Sequence, residues 1–429
     1  MSVTSRRPGL THAFLVCTLL SLLAGPGVYA QSPGSAPTPR STGQPLRTEK
    51  LVLYAAVGPE LSQYDVDVEG ATLVKRGSVS LPGAIQYAWP HPSREYLYVA
   101  WSNGALGQHG VSALGTAPAL RLLGPATSLR SRPIHVSTDI SGTHLLVAYN
   151  NPSSVTVHRI AANGTIASQV DQAAPLDVGV YAHQVRVDPS DRVVILVTRG
   201  NGPSGDKPED PGALKIFRYQ DGLLTNLASV APDRGLNFQP RHLDFHPTGP
   251  WVFVSLERQN KLQVYRKSQD QLLGPTTLFT KDSLADPGHP HPGQLAGTVH
   301  VHPNGRFLYQ ANRASNTIEL DGKSVFAGGE NNIAVYSVNQ ETGEPVLVQN
   351  ADTRGLHPRT FALDPSGRIL VAANQMSLLV RDGGSLNRVP ASLAVYRIRN
   401  DGKLDFVRKY DVETGGGSNL MWVGIVALP

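Results

Sequence analysis

Apolar and polar positions alternate along most of the chain in short runs, and one break in that alternation recurs six times. An alternating run ends in His or Asp, usually followed by Pro, then a small turn, then a second apolar run. The six copies are "QYAWPHPSREYLYVAWS", "IHVSTDISGTHLLVAYN", "HQVRVDPSDRVVILVTR", "RHLDFHPTGPWVFVSLE", "TVHVHPNGRFLYQANR" and "RTFALDPSGRILVAANQ". Period-two patterning on both sides of a Pro/Gly/Asn turn predicts a β-hairpin. Proline presets φ for the turn, and Gly or Asn accepts the conformation that follows. The turn position falls at Pro92, Ile140, Pro189, Pro247, Pro303 and Pro365, which are 48, 49, 58, 56 and 62 residues apart. That spacing suits one four-stranded propeller blade with its loops. Third strands follow as "SVTVHRI", "ALKIFRY", "KLQVYRK", "NIAVYSV" and "SLAVYRI".

The termini complete the count. Leu51 to Val57 reads as a second strand with no first, and "NLMWVGIVALP" as a first strand with no second. The expectation is an all-β fold: a seven-bladed β-propeller over residues 51–429, closed by pairing the N- and C-terminal strands in one blade.

Two segments stand outside the pattern. Arg6 and Arg7, the apolar stretch Ala13 to Leu23 and the small residues around Val28-Tyr29-Ala30 predict a signal peptide over 1–30. Residues 31–50, rich in Ser, Pro, Gly and Thr, predict a disordered leader. The mature protein is then expected to be periplasmic or secreted. No other apolar run reaches membrane length, so no membrane contact is expected after cleavage. The single cysteine, Cys17, falls inside the signal.

Composition narrows the classes further. Among 429 residues, 42 Gly and 33 Pro suit many turns, and only 17% are charged. A coiled coil, a disulfide scaffold and a Cys-ligated zinc protein are excluded. A net charge of +5 without clustering gives no footprint for nucleic acid. Nothing in the pattern specifies an oligomer.

Candidate chemistry follows from the hairpins. In a regular hairpin, cross-strand partners have numbers that sum to a constant. This pairs Arg241 with Glu257, His183 with Arg199, Gly297 with Arg313, Arg359 with Gln375, Gln86 with Ser102 and Ile134 with Asn150. First strands line a propeller's channel, so these open ends share one mouth, with His135 one residue inside. Arginine forks suit carboxylate, phosphate or a developing oxyanion. Glu257 and His183 are the candidate acid–base groups, and Glu257 beside arginine should stay ionised. No cysteine or G-x-S-x-G elbow offers a nucleophile, which favours attack by water or intramolecular chemistry. Three long insertions, residues 200–212, 314–330 and 376–390, rise from the same mouth as candidate binding loops. The structural alternative is a set of salt bridges around a solvated channel.

Taken in order, "QPRHLDFHPTG", "VSLERQNKLQVY", "VHVHPNGRFLYQANR" and "HPRTFALDPSGRILVAANQ" resemble the lactonase-type seven-bladed propeller family. That family includes 6-phosphogluconolactonases and carboxymuconate lactonizing enzymes. The resemblance spans about Leu51 to Pro429 and implies catalytic roles for His183, Arg241, Glu257 and Arg313. Arg359, Gln375, His135 and Arg199 are then expected to bind substrate, with no cofactor and no metal. The chain departs from the family's usual pattern at Tyr181, Leu256, Gly297 and Arg199. The implied function is hydrolysis of a small-molecule sugar lactone, such as gluconolactone or 6-phosphogluconolactone. The alternatives are a cycloisomerase acting on an organic acid, or a non-catalytic binding propeller. His289 and His291 with Asp286 form a weaker metal candidate, His246 and His302 read as turn residues, and Trp89, Trp101, Trp251 and Trp422 read as core.

Overall fold

The computed structural model describes residues 50–429 apart from Gln271 and Gly416, so the expected signal peptide and nearly all of the leader lie outside the described residues. Among the described residues, the hairpins assemble into seven antiparallel blades and one small extra sheet. Each blade has one innermost strand: β1 (Ala84–Pro90), β2 (Pro133–Thr138), β3 (Ala182–Val187), β4 (Pro240–Phe245), β5 (Leu295–Val301), β6 (Leu356–Leu363) and β7 (Leu420–Ala427). Each inner strand packs beside the next in the chain, and β7 packs beside both β6 and β1. Strand β7 runs antiparallel to Leu51–Val57, with Leu51 opposite Ala427 and Ala56 opposite Trp422, so one blade takes strands from both chain ends.

The core lies between blades. Val193–Thr198 is buried at every position because both of its faces are covered. Val194 and Leu196 pack with Leu146 and Val157 of the preceding blade, while Val193, Ile195 and Val197 pack with Leu243 and Val254 of the next. Burying each such side chain contributes about 1.5–3 kcal/mol. At the closed ends of the hairpins, His246 Nε2 meets the carbonyl of Gly305 at 3.0 Å, and His302 Nε2 that of Gly367 at 2.8 Å. The turn histidines thus tie each turn to the next blade's.

The expected cross-strand pairs are corrected by a repeated irregularity. Every inner strand carries a β-bulge near its open end. The extra residue is Gln86, Ile134, His183, Arg241, Arg359 or Met421, and in β5 the bulge takes in Gly297 and Thr298. Next to the turns the ladders already run one residue off the expected sums, as Phe245 opposite Val252 and Val187 opposite Val194 show, and the inserted residue shifts each ladder one further beyond it. Glu257 therefore stands opposite Gln239 and Arg199 opposite Tyr181, as their backbone hydrogen bonds of 3.0 and 2.9 Å show. Arg313 faces Leu295, not Gly297, and Ser102 faces Ala84, not Gln86. The flanking pairs Leu356–Met376 and Pro358–Asn374 put Gln375 across from His357, not Arg359. In the same way Asn150 lies beyond the Tyr149–Pro133 pair and is not matched to Ile134.

Two of the three insertions are strands, not loops. Thr317–Leu320 pairs with Lys323–Phe326, and Leu378–Asp382 with Ser385–Val389. The two hairpins join through a parallel bridge between Val325 and Leu379, forming a rim sheet outside the blades. Residues 200–212 stay irregular apart from a bridge between Ser204 and Lys207.

Candidate active site

A bulge breaks the alternation of side chains and re-aims the inserted residue. Here it delivers His183, Arg241 and Arg359 from three inner strands, while Arg199, Glu257 and Arg313 come from the ends of second strands.

Glu257 is the hub. Its Oε2 accepts from Arg199 Nη1 at 2.8 Å, and its Oε1 accepts from Arg313 Nη2. Arg241 Nε lies 2.9 Å from the same Oε1 as an ion pair. The backbone of Glu257 is pinned too, its N–H donating to Gln239 and its carbonyl accepting from Ala296 at 2.7 Å. Burial alone would raise the Glu257 pKa, but Arg313, Arg241 and Arg199 outweigh it and hold the carboxyl down at about 2. It is a carboxylate at any physiological pH.

The arginines are less well served. Arg241 is 1% exposed, yet its Nε and Nη1 make no hydrogen bond to protein, because the Glu257 oxygen lies off the N–H direction. Arg313 donates through Nη1 to His357 Nε2 at 2.9 Å and through Nη2 to Glu257, which leaves Nε unpaired. The Arg199 guanidinium stacks 3.9 Å from the centre of the Tyr181 ring. The guanidinium of Arg359 has no partner among the described residues, and burial together with Arg313 lowers its pKa to about 10. Arg199, Arg241, Arg313 and Arg359 against the one carboxylate of Glu257 sum to +3 (4 − 1).

Beneath the bulges lies a layer of rings. His183 and His242 have centroids 5.2 Å apart, His242 and His135 6.1 Å, and His135 and Tyr87 4.1 Å. Burial, reinforced by Arg241, pushes the pKa of all three histidines well below the ordinary value, so they are neutral. The Nδ1 atoms of His183 and His242, and both nitrogens of His135, have no protein partner. Buried polar groups are normally satisfied, and this concentration of ones without a protein partner makes the mouth the candidate ligand site.

Residues 53–381 match the family "Lactonase, 7-bladed beta-propeller". The chain belongs to the lactonase propeller family. It is 26% identical over 387 residues to a 6-phosphogluconolactonase of Serratia proteamaculans, covering 88% of this chain and 99% of that one. It is 28% identical over 283 residues to a 6-phosphogluconolactonase of Bacillus subtilis, covering 61% and 70%. Among solved structures it is similar to the periplasmic gluconolactonase PpgL of Pseudomonas aeruginosa, with TM-score 0.63, 19% identity and coverage of 89% and 100%. It is also similar to a Lactobacillus plantarum protein, with TM-score 0.66, 20% identity and coverage of 88% and 98%.

In this lactonase propeller the sequence candidates fall into two groups. His183, Arg199, Arg241, Glu257, Arg313 and Arg359 converge on the mouth. His135 is fully buried one layer deeper, and Gln375 Nε2 turns to Met421 Sδ at 3.6 Å. Sequence reasoning passed over His242 and His357. The first directly follows the bulged Arg241, where strict alternation points it away from the channel. The second sits at φ +58°, held by the 2.8 Å bond from its N–H to Asn331 Oδ1. Tyr181 and Arg199 are two of the departures from the family pattern, and their stacking makes them a pair. The His289 candidate is exposed, contacting Asp286 at 3.2 Å, and no three-ligand cluster occurs among the described residues.

Proposed function

We propose that this lactonase propeller hydrolyses the ring ester of an aldonolactone, with the arginine mouth as its active site. The observation that carries the reading is the set of buried guanidinium N–H groups of Arg241 and Arg313 left without acceptors beside a neutral His183. The lactone carbonyl oxygen would accept from Arg241 and Arg313, which stabilise the oxyanion as water adds to the carbonyl carbon. His183 would take the proton from that water and return it to the ring oxygen as the carbon–oxygen bond breaks, giving the open hydroxy acid. Surrounding arginines disfavour a charged His183 in the resting site, and the oxyanion offsets them at the moment the imidazolium forms.

Glu257 fits a positioning role better than the acid–base role read from sequence. With a pKa of about 2 and both oxygens engaged, it is a weak base, but it fixes the arginine forks. Arg359, half-buried and without a side-chain partner among the described residues, suits an anionic group or hydroxyls of the substrate. The names of the Serratia, Bacillus and Pseudomonas relatives support the lactone class. Residues 1–30 we assign to export and 51–429 to the propeller, closed by the pairing of Leu51–Val57 with β7. Among the described residues no helix is long and apolar enough to cross a membrane.

Proton release from gluconolactone and from 6-phosphogluconolactone tests the reading. The wild type should exceed spontaneous hydrolysis on at least one, and Arg241→Ala and His183→Ala should fall to the spontaneous rate. A wild-type rate equal to background on both would end it.

A further inference from the structure

The opposite half of the channel holds two adjoining cavities. Below the histidine layer the bulges end, alternation resumes, and a cavity of about 300 Å³ opens among Tyr87, Trp89, His300, Phe361 and Trp422. A second cavity of about 350 Å³ adjoins it toward the turns, sharing Trp89, Pro90, Pro365 and Ile425. The upper one lies at the small end of the range for small-molecule sites, enough for a single ring.

The lining combines aromatic faces with unpaired polar edges. Among the described residues, the hydroxyl of Tyr87, the indole N–H groups of Trp89 and Trp422 and Nε2 of His300 make no hydrogen bond, although Trp101 Nε1, inside a blade, has Ser112 at 3.0 Å. Each charge named here has a partner, unlike those of the mouth. Arg186 donates to Asp244 at 3.2 Å and lies 4.9 Å from the Trp89 ring centre. Asp244 also faces His300 at 3.5 Å and accepts from the Val301 N–H at 3.0 Å. Asp364 is taken up by backbone N–H groups of Ser366, Arg368 and Ile369.

We propose that this cavity binds an uncharged sugar ring. A purely apolar ligand would leave the Tyr87 and Trp edges unpaired, and the described residues lining the upper cavity include no lysine or arginine to meet an anion. A pyranose or furanose ring satisfies both demands, its C–H face lying on Trp89 or Trp422 and its hydroxyls meeting the hydroxyl, indole and imidazole edges. The site stands apart from the arginine mouth and does not depend on its chemistry.

Intrinsic fluorescence and calorimetric titration of the full mature protein test this, with D-glucose, D-galactose and D-xylose as probes and D-gluconate as the charged comparator. Trp89 and Trp422 report from inside the cavity. At least one sugar should saturate with a Kd near the millimolar range and exceed gluconate by about tenfold. Trp89→Ala should lose that binding and Tyr87→Phe weaken it several-fold, while Arg359→Ala leaves it unchanged. Circular dichroism and thermal unfolding of the same preparations verify that both variants are folded, and Tyr87→Phe carries the test if Trp89→Ala is not. No saturation by any of the three sugars overturns the proposal. So does binding lost in Arg359→Ala but kept in the cavity variants, or gluconate binding as tightly as the sugar.

Discussion

The same seven inner strands build both halves of the channel, yet the halves handle charge in opposite ways. At the turn side, where alternation is regular, Arg186 is matched by Asp244, and Asp364 is held by backbone N–H groups. At the mouth, where every inner strand is bulged, four arginines share one carboxylate. A surplus of buried cations costs stability, since an uncompensated buried charge is worth several kcal/mol. Local rules that are broken together in one place mark function. The bulge is therefore more than an irregularity of the ladder. It frees one side chain per strand from the packing that fixes its neighbours, and the chain uses that position for charge.

The strongest way to break this contrast is to remove the hub. Glu257→Gln keeps the shape but leaves Arg199, Arg241 and Arg313 without a counter-charge. Loss of one partner from a buried ion cluster costs about 3–5 kcal/mol. The arginine forks would also lose their orientation, so hydrolysis should drop by about 10²–10³-fold, the scale of a lost oxyanion donor. Urea unfolding and proton release measure the two effects. If both stay near wild type, Glu257 does not organise the mouth.

Acid comes next. His135, His183, His242 and His357 are held neutral, with pKa values well below the ordinary 6.5. Below that value the unfolded chain binds protons that the folded one refuses. Stability is thus full above pH 6.5 and falls as pH drops, by up to about 1.4 kcal/mol per pH unit for each such histidine. Glu257 adds a later loss, since its depressed pKa stabilises above 4.5 and that contribution vanishes as pH falls toward about 2. Unfolding free energy followed from neutral into mildly acid solution should decline, and His135→Gln should make the decline shallower. An unchanged slope would mean that His135 titrates normally.

The repeat exposed most of this in advance. Turn spacing located the six internal hairpins, and a fixed offset from each turn found His183, Arg241 and Arg359 without any knowledge of the bulges. That worked because the bulge recurs at the same offset in every blade. Pairing arithmetic failed for two reasons: the ladder next to the turn already runs one residue off the assumed sum, as Phe245 opposite Val252 shows, and the bulge moves it one further, so Glu257 faces Gln239 instead of Arg241. His242 was hidden by the alternation rule that the bulge suspends. His357 was hidden because its place depends on a left-handed backbone and on Asn331, far off in the chain. The rim sheet was illegible because each of its hairpins is short and polar, and the two meet only across neighbouring blades. Trp101 and Trp251 are core as expected, whereas Trp89 and Trp422 also line the cavity.

Arg359 sharpens the contrast from the substrate side. It is the cation of the mouth that no protein group claims, so its removal should spare the fold. A charge-assisted hydrogen bond is worth about 1.5–3 kcal/mol, or roughly 10–150-fold. Arg359→Ala should raise KM by that factor for a lactone bearing phosphate and by much less for gluconolactone, with kcat nearly kept. Equal losses on both substrates would place Arg359 at the reacting carbonyl instead.

The smallest effects separate the rim from its root. Asn331 Oδ1 accepts from the N–H groups of Ala314 at 2.9 Å and His357 at 2.8 Å, so it braces both the residue after Arg313 and the imidazole that Arg313 donates to. Asn331→Ala leaves two backbone donors unpaired and should cost about 1–3 kcal/mol, with kcat reduced several-fold and little change in KM. Ile318, on the outer strand of the rim sheet and 56% exposed, touches none of this. Ile318→Ser should shift stability by less than about 0.5 kcal/mol and leave both kinetic constants alone. A larger kinetic effect at Ile318 than at Asn331 would show that the rim sheet itself meets the substrate. The bulged mouth would then be only part of the active site.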